Sequence, residues 1–421
     1  MSLLLTNGIY IHPTNLEFTL TNILVHEGVQ GGIEFLNHIP EKSNHTIIDC
    51  RGKYITHSFA NGHHHVYSAL ARGMGAPKKN PENFEEILQY IWWTLDKALD
   101  PDMIRSSALV TAIACAKSGV TFAIDHHASP NSVKGSLEII AQAFDEVGVG
   151  HLLCYEISDR DGLDIARNGL EETAAYLSKR QGLVGLHASF TVGDETLKQA
   201  VALAREMKSG IHIHVAEDAS DEAHCQKTYN QRVGQRLANA GALEFPKTIL
   251  GHCLHLDEQE RRLVAGSPAW VVQNMESNLN NSVGLFNSRG LSERIMFGTD
   301  GMHSDMLRSA KAAFFSGHNF DAIDYGETYR RFRNVHNYLN SNKFKGDGDN
   351  NLVVLDYDTP TPFNSNNFLG HFLFGIESRH VQHVISNGKL IVEKGNINTV
   401  DEAQILKDAQ VQAERLWKQM R

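Results

Sequence analysis

The segment Asn61-Gly62-His63-His64-His65 places two histidines two residues apart at the end of a short apolar run. In extended chain this spacing sends His63 and His65 to one side and His64 to the other, so two imidazoles can converge on one cation. A second run, Ile211-His212-Ile213-His214-Val215-Ala216-Glu217, ends in H-x-x-E spacing and brings a third nitrogen ligand with a carboxyl group beside it. His212 shares the face of His214 one layer deeper, where a hydrogen-bonded interior histidine is expected. Gly251-His252-Cys253 and Gly298-Thr299-Asp300-Gly301 close two further runs and add His252 and Asp300. Imidazoles and carboxylates gathered at one place are donors for a divalent ion, and such an ion activates water for hydrolysis.

These residues are useful only if several strand ends meet. Between residues 53 and 301 the chain repeats a short apolar run bounded by Gly, Asn or Asp, followed by a longer stretch of helical period. The runs are Tyr54–Phe59, Thr121–Asp125, His151–Ile157, Leu183–Ala188, Gly210–Val215, Thr248–Cys253, Ala269–Asn274 and Ile295–Thr299. Helices are expected over Asp102–Ser118, Asp194–Ser209 and Tyr229–Ala240, each followed by glycine. Eight strand and helix units without a G-x-G-x-x-G turn predict an α/β fold, a (β/α)₈ TIM barrel whose strand ends carry the chemistry. Leu3–Ile11, with Asn7-Gly8, and Val381–Glu393, with Asn387-Gly388, read as β-hairpins. With Thr46–Cys50 and Leu352–Tyr357 they predict a small β-sandwich built from both termini, and an amphipathic helix over Asp401–Met420 ends the chain. The predicted division is residues 1–52 and 346–421 for the sandwich and closing helix, and 53–345 for the barrel.

A net charge of −10 over 421 residues gives no cationic stripe for a nucleic acid. No apolar run reaches the roughly 18 residues of a membrane span, so a cytoplasmic protein is expected. The five cysteines are odd in number and never in C-x-x-C, which fits buried thiols. Twenty-three histidines are the unusual count, and their grouping inside apolar segments is what carries the functional reading.

With these motifs in hand, the chain resembles the amidohydrolase superfamily, in the branch of guanine deaminase, chlorohydrolases and adenosine-type deaminases. Tyr67-Ser68-Ala69-Leu70-Ala71-Arg72-Gly73-Met74, Trp92-Trp93, Tyr155-Glu156-Ile157-Ser158-Asp159-Arg160 and Glu276-Ser277-Asn278-Leu279-Asn280-Asn281 resemble the aminohydrolases called SsnA. The resemblance implies His63, His65, His214 and Asp300 as ligands, Glu217 as proton shuttle and His252 as hydrogen-bond partner of the attacking water. It also implies that His187, Asn278 and Arg72 line the substrate pocket, while Tyr67, Trp92 and Trp93 could cover it and stack on a flat ligand. The fourth strand lacks the lysine that bridges two ions in such barrels, so one divalent ion is expected, zinc first, with iron, manganese or cobalt tolerated. His126 and His127 are expected to support the structure or the ligands.

The implied reaction is hydrolytic deamination of an aminated nitrogen heterocycle such as a purine, pyrimidine or triazine. Cyclic amide hydrolysis and dechlorination are alternatives at the same site, and a non-catalytic metal-binding barrel is the alternative of a different class. A small-molecule substrate and a homodimer are the expected partners. Three departures from the family pattern stand out: His57-Ser58 in place of Pro-Gly, a short polar stretch over Asn337–Asn351, and His303 after the Asp300 loop.

Overall fold

The computed structural model describes residues 2–38 and 45–420. The N-terminal segment supplies β1 (Leu3–Ile11), β2 (Phe18–Val25), β3 (Ile33–Leu36), β4 (Thr46–Asp49) and β5 (Tyr54–His57). Eight strands alternating with helices follow: β6 (Phe59–His64), β7 (Val120–His127), β8 (Gly150–Tyr155), β9 (Val184–Ala188), β10 (Ile211–Val215), β11 (Ile249–His252), β12 (Trp270–Gln273) and β13 (Ile295–Phe297). The C-terminal part adds β14 (Leu352–Leu355), β15 (Val381–Ser386), β16 (Lys389–Glu393) and β17 (Asn396–Ile397) before the helix Glu402–Gln419.

Strands β6–β8 form one parallel sheet and β9–β13 another. Single bridges join the two into a ring, Leu153 with Gly182 and Ile157 with Leu186 on one side, His64 with Asp300 on the other. This is the eight-stranded parallel barrel of TIM type that the alternation predicts. Its floor is apolar: Ala60, Phe122, Leu152, Ile249, Trp270 and Met296 belong to one buried cluster, plugged by Val335, Tyr338 and Leu339 of the helix Tyr325–Ser341. Because every second residue faces inward, the same strands end in polar groups, Phe122 and Ile124 giving way to His126, and Leu152 and Cys154 to Glu156. Burying this layer requires that its polar atoms find one another.

The terminal strands form one sheet of nine strands, in the order β17-β16-β15-β14-β5-β1-β2-β3 with β4 also on β1. Three expectations change here. The run Tyr54–Phe59 is divided at Ser58: Tyr54–His57 pairs with Leu352–Leu355 in the terminal sheet, and the barrel begins at Phe59. Asn7-Gly8 is a bulge inside one strand, where Asn7 has φ 59° and the pairing to β2 shifts register; the chain continues straight because β5 pairs alongside at Ile9 and Tyr10. Asn387-Gly388, with φ 48° and 76°, does turn a hairpin between β15 and β16. The helix expected over Tyr229–Ala240 is confined to Val233–Asn239, because Tyr229 ends the preceding helix Ala219–Tyr229 and Asn230, with φ 52°, parts the two. Among the described residues no helix is long and apolar enough to cross a membrane.

The β8/β9 seam depends on Gly185, where a Cβ would stand 2.3 Å from the carbonyl oxygen of Tyr155. Gly185→Ala should therefore destabilise the protein by about 1–3 kcal/mol through backbone displacement, read as a lower urea midpoint at unchanged slope.

Candidate active site

The rim of the barrel collects the residues singled out by spacing. His63 and His65 both face Asp300, with their Nε2 atoms 3.5 and 3.0 Å from its Oδ1. His64 turns away to the hydroxyl of Ser304 at 3.0 Å. His214 Nε2 lies 3.1 Å from His65 Nε2, and donor atoms of His63, His214, His252 and Asp300 all lie within 4.8 Å of one another. All are buried. Positive φ at Ala216 (45°), His252 (67°) and Asp300 (53°) turns three strand ends inward, strain of the kind that collects at functional sites. At the closing seam, a Cβ on Gly298 would meet Asn274 Oδ1 at 2.4 Å and His63 Cβ at 2.8 Å, so only glycine lets β13 approach His63.

Hydrogen bonds set the proton on each ring. His65 Nδ1–H donates to the carbonyl of His126 (2.7 Å) and His214 Nδ1–H to that of His187 (2.9 Å). His63 is fixed by a relay, because the Cys154 thiol donates to the carbonyl of Asp125 (3.4 Å) and leaves its sulfur to accept from His212 Nδ1–H (3.6 Å). His212 Nε2 then accepts from His63 Nδ1–H at 2.9 Å. Burial keeps that thiol protonated. All three rings thus direct Nε2 into the same small volume, and His63 Nε2 is buried without a hydrogen-bond partner.

The electrostatics fit a cation there. Burial holds His63 down to about 3 and His214 well below the usual histidine range, so both are neutral, as ligands must be. At His65 burial acts the same way, but Asp300 outweighs it and raises the ring to about 9. Burial would raise Asp300; His65 and His63 outweigh burial and hold it well below the carboxylate range. A proton between His65 and Asp300 thus stands where a divalent ion would be held, and the donor set of three nitrogens and one carboxylate suits zinc.

Around this centre, His252 Nδ1–H donates to Asn278 Oδ1 (2.7 Å), and its Nε2 lies 3.6 Å from Glu217 Oε2 and 3.7 Å from Asp300 Oδ2. Burial is the main cause that pushes Glu217 up to about 7; His252 opposes it and Asp300 adds to it. A cleft opens above, with His65, His214, Glu217 and Asp300 on its floor. Trp92, Trp93, Phe84 and Leu88 form an apolar wall, within a segment that includes a π-helical turn at Leu88–Trp92. Arg160 lies 5.1 Å over the Trp93 ring and is paired with buried Asp96.

Most of the residues named from sequence meet here. His187 and Tyr67 line the cleft, as do both tryptophans. Asn278 is buried behind His252 and orients that ring instead of forming the wall, which comes from Ser277, Asn280 and Asn281. Arg72 is exposed and stands outside the wall, because the 3-10 turn Val66–Ala71 carries it past the rim. His303 is engaged with Glu276, and His127 with the hydroxyl of Ser129. Sequence reasoning missed Glu156 as a pocket group: it lines the cleft between His126 Nδ1 (3.2 Å) and His187 Nε2 (3.6 Å). Burial would favour its acid form, yet His187, His126 and His65 outweigh burial and keep it an anion. The signal was its position, two residues beyond inward-facing Cys154.

Comparison with known proteins agrees with this geometry. The amidohydrolase family model matches residues 54–346. A 5-methylthioadenosine/S-adenosylhomocysteine deaminase of Aquifex aeolicus is 26% identical over 399 residues, 88% of each chain. A 5'-deoxyadenosine deaminase of Methanopyrus kandleri is 28% identical over 347 residues, 77% of this chain and 78% of the other. Among solved structures, an adenosine deaminase from Xanthomonas campestris with bound zinc superposes with a TM-score of 0.82 at 19% identity, covering 98% of both chains. The zinc complex of atrazine chlorohydrolase TrzN from Arthrobacter aurescens superposes with a TM-score of 0.81 at 14% identity, covering 98% of this chain and all of that one.

The relay through His212 has a measurable consequence. His212→Leu removes the acceptor that keeps the proton of His63 on Nδ1, and zinc affinity at the rim should fall about 10–100-fold, measured by competition with a chromophoric chelator; unchanged affinity would refute the relay.

Proposed function

The chain belongs to the amidohydrolase family, and from that premise we propose that it is a metal-dependent hydrolytic deaminase of aminated purine-type heterocycles, nucleosides of the adenosine kind first among them. The observation that carries this reading is Glu217, a buried carboxyl pushed up to about 7 that faces the cleft 3.6 Å from His252. The named activities of the relatives and the flat aromatic wall support the substrate class.

His63, His65, His214 and Asp300 hold the ion. When bound, a divalent ion supplies the Lewis acid that lets water ionise near neutral pH. Asp300 and His252 flank the attacking water: His252, its Nδ1–H committed to Asn278, offers the Nε2 lone pair, and Asp300 Oδ2 takes the proton. Once it carries a proton, His252 stabilises the negative charge that builds on the attacking oxygen. Glu217 gives its proton to the ring nitrogen beside the attacked carbon, so that carbon gains electron demand as the C–O bond forms. One proton from the water passes by way of Asp300 to the amino group, the exocyclic C–N bond breaks and ammonia leaves; the other, released as the new hydroxyl becomes the ring carbonyl, restores the acid form of Glu217. Trp92 and Trp93 stack on the heterocycle and exclude water. The Glu156 carboxylate and His187 meet the hydroxyl groups of an attached sugar.

A panel of aminated purines, their nucleosides, pyrimidines and triazines, offered to zinc-loaded protein with ammonia as readout, tests the assignment. Adenosine-type nucleosides should release ammonia fastest; carbonyl or chloride release without ammonia from the whole panel would sink it. Glu217→Gln should keep its metal and lose about 10²–10⁴-fold in turnover. Since the working form of Glu217 is the acid, rate should be full below about 7 and fall as pH rises through that value. A profile that is flat from pH 6 to 9 would remove the acid role.

A further inference from the structure

The other end of the barrel carries a second group of ligand-type side chains. His57 ends β5, His336 lies on the helix Tyr325–Ser341 and Asp347 lies on the connection to β14. One donor atom of each stands within 4.8 Å of the other two. His336 Nδ1 is 2.8 Å from Asp347 Oδ2, and His57 Nε2 is 3.1 Å from the carbonyl oxygen of Gly348. The two imidazole rings are 4.5 Å apart and inclined at 76°, an edge-on arrangement that lets both aim at one point.

We propose that His57, His336 and Asp347, with the carbonyl of Gly348, form a second divalent-cation site of zinc type that clamps the barrel to the terminal sheet. Tetrahedral zinc with bonds of about 2.0–2.2 Å spaces its ligands roughly 3.3 Å apart, so the pairs at 2.8 and 3.1 Å are close to ligand spacing already. Small rotations of His57 and His336 close the remainder. The chemistry matches: two imidazoles, one carboxylate and one carbonyl are borderline donors that favour zinc over calcium or magnesium. Asp347 is 4% exposed and its Oδ1 is buried without a partner, which a bound ion would answer. The nearby guanidinium of Arg333 does not serve Asp347, because it donates to the carbonyls of His57 and Ser58 and to Tyr329.

The site stands apart from the catalytic rim and draws on side chains that the proposed reaction does not use. It joins three segments distant in sequence: the strand just before β6, the last barrel helix and the return to the terminal sheet.

The test uses the full chain, stripped with chelator, reloaded with zinc, desalted and measured by elemental analysis. Wild type should retain two equivalents per chain. His63→Ala combined with His65→Ala should retain one, and His336→Gln or Asp347→Asn should each retain one. Addition of cobalt(II) to wild type already holding one zinc should give the visible bands of a tetrahedral nitrogen and oxygen site, a readout that needs no variant to fold. Saturation of wild type at one equivalent, lost in the His63/His65 variant and kept in Asp347→Asn, would overturn this proposal while leaving the rim centre standing. One equivalent lost only in Asp347→Asn would overturn the rim centre instead.

Discussion

Three imidazole nitrogens and a carboxylate forced into one small volume are the constraint on which the rest of this molecule depends. The proton that Asp300 holds on His65 lets its Nε2–H face the Nε2 lone pair of His214 at 3.1 Å, the place a cation would take. The fold spends much of its local structure on keeping them there. Carbonyls of neighbouring strands hold two of the rings, a buried histidine and thiol hold the third, and glycine at 298 lets the closing strand come near. Each of these groups removes an alternative proton position or rotamer, which is how a site becomes preorganised.

The barrel also explains why one layer can be so polar. Aromatic and branched side chains fill the floor, so the layer above is buried, and the balance between burial and the groups brought there from other strands decides the charge of each. Three carboxylates at similar depth are driven apart on this account. Asp300 is surrounded by imidazoles and stays ionised, Glu156 likewise, while Glu217 has His252 on one side and a like charge on the other and retains its proton. Opposite charge states for like side chains follow from environment alone.

Much of this was legible in the residues. The period-two and helical patterns gave eight strand and helix units, and H-x-H, H-x-x-E and the strand-end His252 and Asp300 named the rim because strand ends in such a barrel converge. What was not legible depended on pairing partners. Asn7-Gly8 has the composition of a hairpin turn, yet becomes a bulge once β5, over forty residues away, pairs alongside β1. Tyr54–Phe59 reads as one strand because apolar residues serve two sheets equally well. Asn278 and Arg72 were placed by motif similarity, which fixes a position along the chain and not the direction of a side chain. Glu156 lay in plain view two residues beyond inward-facing Cys154, but no local motif joined it to His126 and His187, which come from other strands.

The ring of strands is joined to itself between β13 and β6 by a lone bridge, His64 to Asp300, with both amides at 299 and 300 donating to the carbonyl of His63. The thinnest weld in the cylinder is thus made by the same few peptides that carry ligands from both of its lips. An ion held as proposed, by His63 and His65 from one lip and Asp300 from the other, would span that weld like a rivet, so that filling the centre would also brace the closure of the cylinder.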